Sequence, residues 1–371
     1  YRGIAAAIAV IGLAIAPFLK YLIKDPGSVS LRDITICYFI VLFNTVSSYF
    51  VAYKYSLANA QQKNYIETNV ITTTKTITIS LQIAGLYFFP NFYLYLVTAV
   101  AIELIQKVFV SLYLDKLYPY LKEKEVEKLS EEEVGGIVKQ TKALVLHRVG
   151  DMARSQTDAM IIAAFIDVTT VNFVGSYNHV ISSVSNFVNV IFNSVLSSFG
   201  NLIATEKKEK QYWMFQVYRF LGCWIYGFSA IGFFLMLTPL IILWVGEERA
   251  LSDLVIGCIM FDYYFKGERI VLTNYKTAAG VFQQDKYLPL IQGAVNLVVS
   301  IVLVQKVGLV GIYIGTIVSG LIANITRPFI IYKVCFDESV AVYFKDSLKY
   351  IAVNGIAVML LLFLKNSIMT S

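Results

Sequence analysis

The chain has 371 residues, 57% of them hydrophobic and only 15% charged, with a mean hydropathy of +0.65 and a formal net charge of +6. Soluble domains carry about a quarter charged residues, so these values exclude that class and predict an all-α polytopic membrane protein. The positive balance does not point to nucleic acid, because the basic residues collect in connecting loops, as membrane topology requires.

Apolar runs of about 20 residues, the length that crosses a bilayer as a helix, recur about eleven times. Their limits are 3 to 23, 33 to 53, 69 to 88, 91 to 112, 141 to 165, 170 to 198, 213 to 244, 251 to 275, 287 to 305, 307 to 332 and 346 to 364. Pro239, inside LTPLIILWVG, is expected to break or kink the seventh before the chain emerges at Gly246. The sequence opens without a Met or a charged leader, directly into an apolar run, and reads as lacking its true N-terminus. Cys37, Cys223, Cys258 and Cys335 lie in or beside apolar segments without close pairing, as small core residues rather than a disulfide framework or metal site.

Alternate loops differ in charge. One set holds Lys54 and Lys63, then Lys116, Lys122, Lys124, Lys128, Lys139 and Lys142, then Lys207, Lys208 and Lys210, then Lys276 and Lys286, then Arg327, Lys333 and Lys345. The other holds little beyond Lys24, Arg32, Arg249 and Lys306. The first set is therefore cytoplasmic, the chain starts inside and ends outside, and any missing N-terminal spans are even in number. The outer loops are too short for an extracellular catalytic domain. The longest loop, residues 116 to 140, is cytoplasmic and heavily charged. It reads either as an amphipathic surface helix bridging two bundles or as a solvated linker.

The span from 141 to 165, TKALVLHRVGDMARSQTDAMIIAAF, carries Arg148, Asp151, Arg154 and Asp158 at steps of three or four, with His147 and Ser155 beside them. That spacing lines one helix face. A charge at the centre of a membrane helix costs roughly 3 kcal/mol or more, so this stripe must face protein or water. The eighth span repeats the pattern with Asp262, Lys266, Arg269, Thr273 and Lys276. Lys266 and Arg269 fall about 10 to 15 Å from its cytoplasmic end at helical rise. The third span adds Lys75 in TTTKTITIS, and the fourth adds Glu103 and Lys107 one turn apart.

If these helices surround one cavity, it is net basic and opens to the cytoplasm. A basic cavity suits an anionic head group such as a phosphate or pyrophosphate, because Arg and Lys replace its lost hydration. Asp151, Asp158, Glu103 and Asp262 then become candidates for exchanging protons or binding a cation. The alternative is that Arg148 with Asp151, Arg154 with Asp158, and Asp262 with Lys266 are salt bridges locking helices together.

Asn172, Asn178, Asn186, Asn189 and Asn193, with Ser182, Ser183 and Ser185, make the sixth span polar on part of its surface. Interhelical hydrogen bonds and sugar contacts fit equally well. Gly311 and Gly315 have a spacing that permits close helix packing. His147 and His179 lack metal-ligand spacing; a hydrogen-bonded core role is expected for either, with a place on the cavity wall as the alternative for His147. No nucleotide loop, nucleophile elbow or zinc motif is present, and no cofactor is implied.

The segments LFNTVSSYFVAYKYSL (42 to 57), LYPYLKEKEVEKLS (117 to 130), LHRVGDMARSQTDAMIIAAF (146 to 165), SFGNLIATEKKEK (198 to 210), CWIYGF (223 to 228) and LWVGEE (243 to 248) carry a resemblance over nearly the whole chain. The sequence resembles Gram-positive capsular or cell-wall polysaccharide flippases, the oligosaccharidyl-lipid branch of the multidrug/oligosaccharidyl-lipid/polysaccharide exporter superfamily. The resemblance implies two six-helix lobes around a central cavity that opens alternately inward and outward. The present first span would then be the third of the family. Residues 1–115 would be the remainder of the N-terminal lobe, 116–140 the inter-lobe linker, 141–335 the C-terminal lobe and 336–371 an additional helix.

It implies a non-enzymatic flippase in the bacterial cytoplasmic membrane, turning undecaprenyl-diphosphate-linked oligosaccharide outward. Lys75, Arg148, Arg154, Lys266 and Arg269 would hold the diphosphate or acidic sugars. Glu103, Asp151, Asp158 and Asp262 would couple to a proton or sodium ion, Asp158 in SQTD matching the family habit best. The alternatives are a drug/cation antiporter of the same fold, which a basic cavity disfavours, and a polysaccharide polymerase or ligase, which needs a longer outer loop.

Overall fold

The structure, a computed structural model, describes residues 1–23, 30–61, 63–122, 156–281 and 283–369, with isolated positions between 122 and 156. The chain divides into two units, Tyr1–Ser130 and Glu131–Ser371.

Unit 1 is built from helices. α1 (Arg2–Ile15) is extended by short turns at Ala16–Phe18 and Leu19–Leu22. α2 (Leu31–Ala60), α3 (Asn64–Phe88) and α4 (Phe92–Leu117) follow, then a single turn at Pro119–Lys122. Asn91 starts α4 by accepting from the amides of Tyr93 and Leu94 at 2.8 and 3.2 Å, two donors the first turn would otherwise leave orphaned. The buried core of unit 1 is small, formed by Val51, Ala58, Ile66, Val110, Leu114 and Tyr118. Phe39, Phe43, Ile105 and Phe109 remain exposed. Apolar surface on that scale is unstable in water and at home in hydrocarbon.

Unit 2 contains α5 (Thr157–Phe165), α6 (Val168–Ser194), α7 (Leu196–Thr205), α8 (Lys208–Val245), α9 (Asp253–Ala278), α10 (Leu288–Val307), α11 (Leu309–Ile331) and α12 (Val340–Met369). A π turn at Tyr332–Phe336 precedes α12. Its core is aromatic, with Tyr177, Phe192, Phe199, Phe215, Tyr226 and Tyr275 fully buried. α9 packs between α8 and α11, and α11 packs on α10. A Cβ on Gly311 or Gly315 would run into the backbone of Leu303 or the side chain of Ser300, so the close approach read from their spacing is used. Gly308, at φ 60° and ψ −138°, makes the turn between α10 and α11 in backbone space reserved for glycine.

The helices follow the predicted spans, with ends that differ by up to about seven residues, except that the 141 to 165 span is described as a helix only over Thr157–Phe165. Eight helices among the described residues are long and apolar enough to cross a membrane. α3 and α9 fall short of that criterion, and both carry in-span charge. Together with the neighbouring apolar helices they form an all-α polytopic membrane fold.

Three expectations are corrected. Of the break or kink expected at Pro239, the break is excluded: α8 runs continuously through it to Val245. The segment beyond the proline, LIILWV, is apolar, and in hydrocarbon a broken helix exposes several backbone groups where a continuous one leaves a single carbonyl unmet. His179 is exposed, not a core residue. Lys54, Lys276 and Arg327, read as loop cations, are helical and held by carboxylates. Lys54 is buried against Asp115 and donates to Ser111 Oγ at 2.7 Å. Lys276 donates to both oxygens of Asp285 at 2.7 and 2.6 Å, and Arg327 Nε lies 3.5 Å from the same carboxylate. Only the fold reveals these partners, because Asp285 lies in the chain between α9 and α10 while Arg327 comes from α11.

α12 is fastened to unit 2 by a buried polar cluster. Arg219 of α8 donates through Nη2 to the Tyr343 carbonyl at 2.7 Å and to Ser347 Oγ at 2.6 Å, and its guanidinium lies 3.7 Å from the Tyr343 ring centre. On the far side Glu268 of α9 accepts from Ser347 at 3.1 Å and from Tyr343 at 3.3 Å. Arg219 and Glu268 are only 3% and 4% exposed, so each depends on the same two α12 side chains and on the other's charge. Removing one member of such a pair strands the other. Arg219→Ala should destabilise unit 2 by about 3 to 5 kcal/mol, read as a large fall in melting temperature in detergent, while Arg219→Met combined with Glu268→Gln should recover most of it.

Candidate functional site

Each unit has an open cavity with both polar and apolar residues in its lining. The unit 2 cavity, about 630 Å³, is walled by α5, α6, α9 and α11. α6 supplies Asn178, Ser182, Asn186 and Asn189; α9 supplies Asp262 and Lys266; α5 supplies Asp158; α11 supplies Tyr313 and Thr316. The three-four spacing of the α6 polar residues explains the placement, since they follow one stripe while Phe187, Val190 and Ile191 lie exposed on the other.

The ambiguity of the α6 asparagines divides along the helix. Asn189 Oδ1 accepts from Tyr226 at 3.2 Å, and Asn193 Oδ1 from Asn274 at 3.4 Å, which are interhelical bonds. Asn178 and Asn186 line the cavity without a side-chain bond among the described residues, so their amides face the cavity uncommitted.

At one end of this cavity, three elements meet. Asp158 Oδ2 accepts from Thr316 Oγ1 at 2.9 Å, and Thr316 in turn accepts from Asn296 Nδ2 at 3.0 Å. Thr157 donates to Asn296 Oδ1 at 3.1 Å. The result is an oxygen-rich cluster from α5, α10 and α11 built of Asp158, Thr157, Asn296 and Thr316. Thr157, Asn296 and Thr316 were not singled out from sequence, because each is an ordinary polar residue until the helices bring them to the aspartate.

Asp262 and Lys266 line the cavity, whereas Arg269 lies buried behind it. Its Nη2 bonds Asp262 Oδ1 at 2.7 Å and its Nη1 bonds Asn324 Oδ1 at 3.0 Å. Arg269 is thus held two turns along α9 from Asp262, fixing that carboxylate rather than presenting its own charge. Lys266 sits twelve residues from Ala278 and thirteen from Asp253, near the middle of α9 and deeper than the sequence estimate.

The unit 1 cavity, about 620 Å³, lies among α2, α3 and α4 and is lined by Lys75, Glu103 and Lys107 together with Glu67, Tyr55 and Gln106. Glu103 and Lys107, one turn apart, are bridged by Asn44 of α2. Asn44 Nδ2 donates to Glu103 Oε2 at 2.6 Å, and Lys107 Nζ donates to Asn44 Oδ1 at 2.6 Å, the Asn44 carbonyl at 2.8 Å and Ser47 Oγ at 2.9 Å. Only one amide orientation satisfies both partners, since the carboxylate needs a donor and the ammonium an acceptor.

Of the residues expected at the site, Lys75 and Glu103 share the unit 1 cavity, and Asp158, Asp262 and Lys266 share the unit 2 cavity. Arg148, Asp151 and Arg154, with His147 and Ser155, lie outside the described residues, as does most of the 116 to 140 loop. Among the described residues the unit 2 lining has one lysine against two carboxylates, and unit 1 balances two lysines against two glutamates. Neither lining is net basic among the described residues, and Arg148 and Arg154, on which that expectation also rests, lie outside them.

No protein-family model and no curated protein matches the sequence. Solved structures with a similar fold include a lipid II flippase, MurJ, in an inward closed conformation, at 13% identity and a TM-score of 0.66 over 95% of this chain and 75% of that one. They also include a multidrug resistance MATE family transporter of the MOP superfamily in an inward-facing conformation, at 13% identity and a TM-score of 0.64 over 90% of this chain and 80% of that one. At this identity the likeness is one of fold.

The cavity wall is open to direct chemical test. In a variant with the four native cysteines replaced, Cys introduced at Asn178 or Asn186 should react with a membrane-impermeant thiol reagent at least about tenfold faster than Cys at Phe187, since only thiolate in contact with water is nucleophilic. Equal rates would mean that α6 does not wall an aqueous cavity.

Proposed function

We propose that the chain is a flippase for a lipid-linked oligosaccharide on an undecaprenyl-diphosphate carrier, working in the bacterial cytoplasmic membrane without catalysing a covalent step. The observation that carries this reading is the unit 2 cavity, whose uncommitted amides and hydroxyls stand in a bundle with an apolar exterior. Neutral donors and acceptors suit sugar hydroxyls, while a lipid tail needs no polar path and stays in the bilayer. Lys266, with Arg148 and Arg154 of the sequence 141 to 165, supplies positive charge for a diphosphate, and Lys75 does so in unit 1. Arg269 acts indirectly by fixing Asp262. Support from the fold comes from its likeness to a flippase and to a transporter.

Coupling is assigned to Asp158 and its neighbours. One aspartate among hydroxyl and amide oxygens suits a proton or a small hard cation such as sodium, which prefers oxygen ligands. Occupancy would neutralise Asp158 and bias the cavity between its two openings, the only work a coupling ion must do. Glu103, Asp151 and Asp262 remain further candidates for that role.

A second reading, a cation antiporter, is favoured by the two carboxylates against one lysine in the unit 2 lining. Gene deletion with complementation separates them. The flippase reading expects a completed oligosaccharide on its diphosphate carrier to accumulate in the cytoplasmic leaflet, with surface polymer lost. Lys266→Ala and Asp158→Asn should each leave expression intact and reduce surface polymer by at least about tenfold, the scale of one charge-assisted contact or one coupling site. Unchanged polymer with increased sensitivity to a lipophilic cation would favour the antiporter.

A further inference from the structure

The unit 1 cavity has charges that the reading above uses only in part. Glu67 and Lys107 aside, it contains one ammonium and one carboxylate oxygen that make no hydrogen bond or ion pair among the described residues. Lys75 of α3 lines the cavity and makes no hydrogen bond or ion pair among the described residues. Glu103 of α4 gives Oε2 to Asn44 and leaves Oε1 without a bond. The two share a cavity of about 620 Å³ and do not pair with each other.

Opposite charges at membrane depth that stay apart each bear a desolvation cost that a direct pair would partly offset. Asn44 prevents the obvious collapse by standing between Glu103 and Lys107 and anchoring both. The neighbours of the two free groups differ in kind. Lys75 is flanked on the cavity wall by Thr74 and Thr78, whose hydroxyls make no hydrogen bond among the described residues, whereas Thr76, off the cavity, bonds the Thr72 carbonyl at 3.0 Å. An ammonium with two hydroxyls makes a seat for an oxyanion. One turn beyond Glu103, Gln106 spends its amide donor on Tyr55 at 3.1 Å, which leaves its carbonyl as an acceptor beside the carboxylate. That wall suits a cation.

We infer that the unit 1 cavity is a binding site for a zwitterionic head group, one carrying an ammonium together with a phosphate or carboxylate on a small polar scaffold. The anion lies against Lys75, Thr74 and Thr78, and the ammonium against Glu103 and Gln106. A volume of this size holds a ligand of a few rings at most. The inference rests on the proposed function and extends it to the charge of the transported head group. An amino sugar phosphate and a zwitterionic phospholipid head group share the required chemistry.

The test is calorimetric titration of the full chain in detergent with glucosamine 6-phosphate, glucose 6-phosphate, glucosamine and glycerophosphoethanolamine. The zwitterions should bind about tenfold or more tightly than either single-charge sugar, one extra charge-assisted contact being enough for that factor. Lys75→Ala should reduce glucosamine 6-phosphate to the level of glucosamine, and Glu103→Gln, which keeps an acceptor for Asn44, should reduce it to the level of glucose 6-phosphate. A preference for glucosamine 6-phosphate over glycerophosphoethanolamine assigns the site to a sugar, and the reverse assigns it to bilayer phospholipid. Equal affinity for all four probes, no binding at millimolar concentration, or loss of the preference in Lys266→Ala instead of Lys75→Ala would overturn the proposal. A retained zwitterion preference with normal surface polymer in the deletion strain would uphold this site and remove the flippase reading.

Discussion

Charge inside hydrocarbon is the constraint on which this structure depends. Every ionised group within a span must find a protein partner or water, because the bilayer offers neither. The chain meets that demand in two ways. Some groups are spent on buried partners, as Lys54 is on Asp115, Lys276 on Asp285, Arg269 on Asp262, and Arg219 and Glu268 on the α12 side chains. Others line cavity walls, as Lys75, Glu103, Asp158 and Lys266 do. The first group fixes how the helices sit, and the second marks where a polar ligand can be held.

The buried partners also explain why helices with poor apolar character stay in place. α9 carries Asp262, Lys266, Glu268, Arg269 and Lys276, too many charges for a helix crossing a membrane alone. It packs between α8 and α11, where Asn324, Ser347 and Tyr343 satisfy its charges. Such a helix is stable only as part of unit 2, so its polar face is positioned with the precision of the surrounding core. A rigid wall is what a selective cavity needs, since a loosely held lysine or aspartate would be solvated before it met a ligand.

The fold likeness bears on the same point. A flippase and a drug transporter share this architecture at 13% identity each, so the helical frame tolerates wide sequence change. What distinguishes one cargo from another must lie in the lining. In this chain the unit 2 lining mixes apolar side chains with amides and hydroxyls and carries three charged residues, Asp158, Asp262 and Lys266.

Sequence by itself determined the membrane class and the course of most of the described helices, because length and hydropathy are local properties of the chain. It predicted that Asp158, Asp262 and Lys266 do not face lipid, and all three line a cavity. Only the tertiary structure decided what each charge meets. Arg269 and Lys266 stand three residues apart and look alike in the sequence, yet one is buried on Asp262 and Asn324 while the other faces the cavity. Asn44, Thr316 and Asn296 gained their roles the same way, from partners 59, 158 and 20 residues distant. The reason is physical: periodicity assigns a residue to a face, but the partner that neutralises it comes from another helix, and no local pattern records which helix that is.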